Sequence, residues 1–167
     1  TAHDAEELLF RQKEIYDGAI PSGNSIAALN LVRLARLTLA EQWENKLEKL
    51  FSAFSAEITN RPSSYAQMLM AFDFAIGPSA EIVFAVSSQD NSLEEMMKAM
   101  YGRFIPNKVV LFRPVAGEES QAIAEISPFV ENQQLVNGAT TAYFCENHVC
   151  KLPVTDPKKF QELLDNL

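Results

Sequence analysis

Apolar residues recur at steps of three and four in the first part of the chain, and this spacing predicts helices. In residues 26–38 the apolar side chains go nearly all the way round, so we expect a helix that is buried on more than one side. Residues 41–60 predict an amphipathic helix that ends before Pro62. Its apolar stripe consists of Trp43, Leu47, Leu50, Phe51, Phe54 and Ile58.

A third helix is predicted over residues 65–76. Ser63 or Ser64 would cap its first turn, and Gly77-Pro78 would end it. The connections between the three helices are short, so we expect antiparallel hairpins. We also expect the long apolar side chains of the third helix to lie in the core, namely Met68, Met70, Phe72 and Phe74.

The pattern changes after Pro78, where residues 81–86 and 109–112 are continuous β-branched and aromatic runs that predict buried strands. Between them, Ser92-Leu93-Glu94-Glu95 resembles a capping box and predicts a helix to about residue 103. A strand, a helix and a strand in this order form a βαβ unit. We expect its two strands to be parallel, with a right-handed crossover.

The rest of the chain predicts alternating short elements. Asp156-Pro157 is a favoured start for the last helix, with the cap and the first-turn proline in their preferred places. These elements are a helix at 118–126, strands at 140–145 and 149–153 about an Asn147-His148 turn, and a helix at 158–166.

The predicted fold class is therefore α+β. N-terminal helical hairpins in residues 1–77 precede a small α/β subdomain in residues 78–167, whose order is β-α-β-α-β-β-α. This order equals that of the thioredoxin fold, although the order along the chain does not determine the order in the sheet. Residues 1–20 match neither a helix nor a strand clearly.

Composition and charge narrow the class of partner. The chain has 14 Lys and Arg against 22 Asp and Glu, a net charge of −8, and no basic stripe, so we expect no nucleic-acid partner. It has no apolar run long enough to cross a membrane and only two cysteines, so we expect a soluble, cytoplasmic protein. The first residue is Thr1 rather than methionine, which suggests a piece of a longer protein.

The two cysteines fall on either side of the predicted turn. If Asn147 and His148 are the turn residues, Cys145 faces Cys150 on the neighbouring strand. A disulfide is then geometrically allowed, and a reversible thiol switch with His148 nearby is one hypothesis. Two reduced thiols are the simpler alternative. A metal is disfavoured because only His148 joins the two sulfurs locally, whereas structural zinc takes four ligands.

Common cofactor and nucleophile signatures are missing from the sequence. It contains no G-x-G-x-x-G, no Walker A motif and no G-x-S-x-G elbow, so we expect no nucleotide cofactor. The turn after the first predicted strand, residues 87–90, has no C-x-x-C motif. A thioredoxin-like subdomain would thus lack redox chemistry at its usual position.

A polar loop ahead of the first helix is the remaining candidate site. Glu14 and Asp17 lie three residues apart, and paired carboxylates can act as acid and base on sugars. In the alternative interpretation, Asp17 and Asn24 bond turn backbone and Glu14 is solvated. In the functional interpretation, Ser22, Asn24 and Ser25 hold substrate by hydrogen bonds.

Five segments of the sequence carry a family resemblance, namely residues 10–27, 77–83, 106–110, 142–147 and 153–157. They resemble, in this order, the C-terminal end of a family of thioredoxin-domain-containing proteins, the spermatogenesis-associated protein and its bacterial relatives. The resemblance spans nearly the whole chain. The Cys145/Cys150 pair falls on paired cysteines of the family, and Asp17, Ser22, Asn24 and Ser25 fall on its polar motif.

The resemblance implies an N-terminal thioredoxin-like domain followed by a six-hairpin α/α toroid similar to glycosidases and epimerases. This chain would be the C-terminal portion, part of a carbohydrate-active or carbohydrate-binding protein and inactive alone. That inference is fold-level analogy, so whether the parent is an enzyme stays open. The alternative is a non-catalytic scaffold that binds a protein partner or the family's own upstream domain. The truncated helices also predict self-association of the chain into a dimer.

Overall fold

The computed structural model describes residues 13–166, which form six helices and four strands. The predicted α+β class and the order of elements are confirmed. The helices are α1 (Gly23–Thr38), α2 (Glu41–Asn60), α3 (Ala66–Ile76), α4 (Ser92–Tyr101), α5 (Glu118–Ile126) and α6 (Pro157–Asp165). The strands are β1 (Ala80–Val86), β2 (Lys108–Pro114), β3 (Thr141–Glu146) and β4 (Val149–Cys150).

Helix α1 organises the helical part of the chain. Both α2 and α3 pack along α1, and α2 and α3 approach each other where the Phe51 and Phe72 rings meet. Their shared core is formed mainly by Ala28, Val32, Leu47, Phe54, Met68, Ala71 and Phe74. Helix α1 packs against α2, α3 and β2, as expected for a helix with contacts on several sides, but Ile26 and Leu34 are exposed, so its apolar side chains are not buried all the way round.

Two expectations about α3 are also wrong. Ser63 and Ser64 do not cap it, because they belong to a short 3-10 turn and the residue at the cap position is Tyr65. Met68 and Phe74 are buried as expected, but 56% of Met70 and 42% of Phe72 are exposed. Helix α2 covers Phe72 only where the Phe51 ring meets its edge, so Phe72 stays partly exposed.

The four strands form one mixed sheet in the order β2-β1-β3-β4. The strands of the βαβ unit, β1 and β2, are parallel as predicted, and β3 is antiparallel to β1. Helices α4 and α6 pack together over one face of the sheet. Alternate residues of β1 and β3 form the core on that face, with Ile82, Phe84, Ala142, Phe144, Met96, Met100, Phe160 and Leu164 buried there.

The predicted start of α6 is correct, and the predicted N-cap of α4 is wrong. Asp156 caps α6 as expected, its carboxylate accepting from the Lys158 backbone N–H at 2.8 Å. Ser92 is not the N-cap of α4. That position is Asn91, and the Asp90 carboxylate instead accepts from both the backbone N–H and the hydroxyl of Ser92.

The opposite face of the sheet adjoins the helical part. Val109 of β2 lies in the helical core, and the Ser127 hydroxyl donates to the Leu37 carbonyl at 2.5 Å. The Asn107 amide also donates to the Asp73 carboxylate at 2.7 Å. The change from helices to strands falls at residues 77–79, while the division into two subdomains stays a prediction.

Candidate functional site

The polar loop is organised around the Asp17 carboxylate. One oxygen, Oδ1, accepts from the Ser22 backbone N–H at 2.9 Å, and the other, Oδ2, accepts from the Met68 backbone N–H at 3.0 Å. The Asp17 backbone N–H in turn donates to the Ser64 carbonyl at 2.9 Å. Met68 lies in the first turn of α3, where backbone N–H groups lack partners within the helix. Asp17 therefore caps α3 from a distant part of the chain.

Ser22, Asn24 and Ser25 shape the start of α1. The Ser22 hydroxyl oxygen accepts from the Ser25 backbone N–H at 3.1 Å, and the two hydroxyls are 2.8 Å apart. The Asn24 amide donates to the Glu14 backbone carbonyl at 2.6 Å, while the Glu14 residue is exposed. The structure thus brings all five predicted residues together in the loop and the first turn of α1. The side chains of Asp17, Ser22 and Asn24 bond backbone groups, and the Ser25 hydroxyl bonds that of Ser22. Their roles as acid, base or substrate donors stay predictions.

A second polar cluster lies under the turn between β3 and β4. Glu81 is fully buried in β1, and its two oxygens accept from the Ser79 hydroxyl at 2.7 Å and the His148 backbone N–H at 2.8 Å. The His148 ring nitrogen Nδ1 is buried 3.7 Å from the same carboxylate. A buried carboxylate needs such donors, because burial without hydrogen bonds costs several kcal/mol, on the order of 3–5.

The turn itself is held to the start of β1. Asn147 and His148 both have positive φ, 48° and 64°, as a two-residue hairpin turn of type I′ requires. The Asn147 backbone N–H donates to the Ser79 carbonyl at 3.1 Å, and the Ser79 N–H donates to the Asn147 side-chain oxygen at 3.3 Å. The turn is therefore fastened to residues 79–81 by backbone and side-chain bonds together.

Sequence reasoning missed the roles of Ser79 and Glu81. One signal was present, since Glu81 is the single charged residue in the otherwise apolar strand of residues 80–86. A charge inside a buried strand demands partners, which makes such a residue a candidate for a functional or structural role.

Cys145 and Cys150 are adjacent partners across β3 and β4, as predicted, and they are joined in a disulfide. The simpler alternative of two reduced thiols is not the state seen here. Cys145 is also the register partner of Glu81 across β1 and β3. The disulfide and the buried carboxylate thus belong to one site, which we call the Cys145–Glu81 site.

The carboxyl ends of β1 and β2 form a third polar region. A cavity of about 420 Å³ lies there, and its walls include Ser87, Ser88 and Gln89. Next to it, bonds from the Ser92 hydroxyl and the Thr140 backbone N–H lower the pKa of Asp90 from 3.8 to about 2. Asp90 thereby ties the start of α4 to the start of β3. This is the position at which the sequence lacks a C-x-x-C motif.

An apolar groove separates α2 from α3. Phe51 and Phe72 meet edge to face with ring centroids 5.2 Å apart, and they divide the groove into cavities of about 330 and 530 Å³. We call this surface the α2–α3 groove, defined by Phe51, Ile58, Leu69, Phe72 and Ile76.

Within residues 13–166, no group of three or more His, Cys, Asp or Glu side chains could hold a metal ion. None of the described helices is both long enough and apolar enough to cross a membrane.

The sequence of this α+β chain is similar to part of several longer proteins. It is 32% identical to spermatogenesis-associated protein 20 of Rattus norvegicus over 158 residues, which are 95% of this chain and 20% of that relative. The Homo sapiens protein of the same name is 32% identical over 157 residues, which are 94% of this chain and 20% of that relative. The Mus musculus protein is 30% identical over 158 residues, which are 95% of this chain and 20% of that relative.

The chain is therefore a partial homologue of spermatogenesis-associated protein 20 and spans about a fifth of the length of these relatives. The matches fit a C-terminal region of a larger protein, in agreement with the resemblance seen in the sequence. No family model matches the chain, and no solved structure matches it.

Proposed function

We propose that this chain is the non-catalytic C-terminal assembly region of a larger cytoplasmic protein built on an α/α toroid. In this proposal its α2–α3 groove receives a helix from the upstream hairpins. The single observation that carries the proposal is the groove itself, where two helices share α1 as a partner and leave an apolar surface between them.

The α2–α3 groove leaves large apolar side chains exposed to solvent. Ile76 is 70% exposed and Phe72 42%, and both lie in the groove, although side chains of this type favour burial by about 1.5–3 kcal/mol each. Contiguous exposed apolar surface marks interaction sites. The upstream helix is the occupant we favour because the matched relatives are about five times as long as this chain.

Binding in trans tests the proposal. The upstream region of the longer protein, purified as a separate polypeptide, should bind this chain, and Phe72→Glu with Ile76→Glu should abolish binding by placing two charges in an apolar contact. Ile126→Glu is the matched control, because Ile126 is equally exposed on α5, away from the groove. Absence of binding by the unaltered chain would refute the proposal, as would equal binding by the groove variant.

The carbohydrate role implied by the resemblance belongs to the whole protein and is proposed only at that level. Of the two predicted acid or base residues, Glu14 is the better candidate. Its residue is exposed, whereas both Asp17 oxygens accept backbone hydrogen bonds. A sugar-binding protein would thus use this loop through Glu14, with Asp17 holding the loop in place.

A further inference from the structure

We propose that the Cys145–Glu81 site is a thiol–disulfide exchange site whose reaction partner is a dithiol protein. In this reaction Cys150 is the sulfur that the partner attacks, and Cys145 is the leaving sulfur. Glu81 is a positioning residue that keeps the two sulfurs together after reduction. The proposal is independent of the α2–α3 groove.

The disulfide is poorly placed to stabilise the fold. It closes a loop with a sequence separation of only five residues, and the hairpin pairing of Cys145 with Cys150 already holds that loop closed. Disulfides stabilise proteins chiefly by restricting the unfolded chain, and the effect grows with loop length. A cross-link at this position therefore adds little restriction.

The two cysteines differ in their exposure to solvent. Cys145 is 1% exposed, while Cys150 lies on the exposed edge strand β4 between the exposed residues Val149 and Lys151. An attacking thiolate must approach the sulfur in line with the S–S bond, so access decides which sulfur is attacked. Only Cys150 offers that access.

The turn between β3 and β4 is hydrogen-bonded to Ser79 and Glu81 independently of the disulfide. The His148 N–H donates to the Glu81 carboxylate, and hydrogen bonds join Ser79 with Asn147, so the hairpin is held without either sulfur. Breaking the S–S bond leaves all of them in place, so the two thiols stay adjacent. Adjacent thiols re-form a disulfide readily, because closure then requires no search through chain conformations.

The exchange balances as a two-electron transfer. A partner thiolate attacks the Cys150 sulfur, a mixed disulfide forms, and the Cys145 sulfur leaves with the electron pair and takes a proton from solvent. The partner's second thiol gives up its proton and attacks the partner's own sulfur in the mixed disulfide, which releases Cys150 as a thiolate that is then protonated. The net result is one disulfide in the partner and two thiols in this chain. Val149 and Leu152, 74% and 86% exposed beside Cys150, provide apolar contact that suits a protein partner better than a small thiol.

Trapping shows which sulfur is attacked. The oxidised chain is mixed with a thioredoxin whose second active-site cysteine is changed to serine, and the products are alkylated and mapped by mass spectrometry. We expect a mixed disulfide at Cys150 with Cys145 alkylated after unfolding. A mixed disulfide at Cys145, or none at all, overturns the proposal.

Single-cysteine variants check the same asymmetry without a partner. We expect the Cys150 thiol of Cys145→Ser to react with an aromatic disulfide reagent at least about tenfold faster than the Cys145 thiol of Cys150→Ser, because burial hinders attack. Equal rates would contradict the assigned roles.

The positioning role is tested by the equilibrium between the chain and dithiothreitol. Glu81→Gln should lower the equilibrium constant for disulfide formation at least about fivefold, since the anchor that keeps the thiols adjacent is weakened. Glu125→Gln, an exposed change on α5 away from the hairpin, should leave it unchanged. Should Glu81→Gln fail to fold, Ser79→Ala removes one donor to the carboxylate and should shift the constant in the same direction. An unchanged constant in the folded variant rejects the positioning role.

Discussion

The Asp17 carboxylate accepts a hydrogen bond from the backbone N–H of Met68 at 3.0 Å, across 51 residues of chain. A negative charge at this end of α3 also interacts favourably with the helix dipole. Asp17 thus joins the loop before α1 to the start of α3, and it does so in place of the local serine cap that the sequence suggested. Asp17, one of the two carboxylates of the candidate sugar site, therefore has a structural role, and its contribution to stability can be measured.

Asp17→Asn should lower the free energy of unfolding by about 1–2 kcal/mol, because the amide keeps only one acceptor and no charge. Urea denaturation of the variant measures the loss. The matched control is Glu14→Gln, an exposed change in the same loop, which should stay within about 0.5 kcal/mol of the unaltered chain. Equal stability of Asp17→Asn and the unaltered chain would show that the cap contributes nothing.

A Glu14→Gln variant also tests the carbohydrate role. In the longer protein, thermal-shift measurements with monosaccharides, amino sugars and sugar phosphates should give a stabilising ligand, since binding to the native state raises stability by mass action. We expect Glu14→Gln to remove that shift while leaving the melting temperature without sugar unchanged. A shift that survives the substitution would exclude Glu14, and no shift with any sugar would leave assembly as the role of this region.

Asp90 makes the chain sensitive to acid in a defined window. Its folded-state pKa of about 2 lies below the ordinary value of 3.8, so its charged form stabilises the fold above about pH 4. That contribution is lost as the pH falls from about 4 to 2. Melting temperatures of the unaltered chain and of Asp90→Asn should therefore differ most above pH 4 and converge toward pH 2. A difference that stays constant across this range would contradict the proposed role of the carboxylate.

Removal of the disulfide should weaken the fold less than removal of a disulfide that closes a long loop. For a loop this short, the chain-entropy relation gives about 2 kcal/mol, and we expect Cys145→Ala with Cys150→Ala to lose no more than that. Chemical denaturation of the double variant measures the loss, with the disulfide-bonded unaltered chain as the reference. A loss above about 4 kcal/mol, the range of disulfides that close much longer loops, would mean that the bond is a structural staple.

Local chemistry alone determined much of this fold. The bounds of α2 followed from the spacing of its apolar stripe, and the start of α6 from Asp156 and Pro157. The pairing of Cys145 with Cys150 followed from a two-residue turn at Asn147 and His148. These features depend on residues within a few positions of one another, so periodicity, caps and turn preferences are enough to predict them.

Tertiary structure alone decided the features that matter most for function. Phe72 is exposed because α2 and α3 both pack on α1 and leave a groove, which no pattern within α3 reveals. Asp17 finds Met68 51 residues away, and Glu81 finds the His148 N–H 67 residues away. The physical reason is that a buried carboxylate or an unpaired helix N–H must be satisfied, while its partner is chosen by the folded arrangement of distant segments.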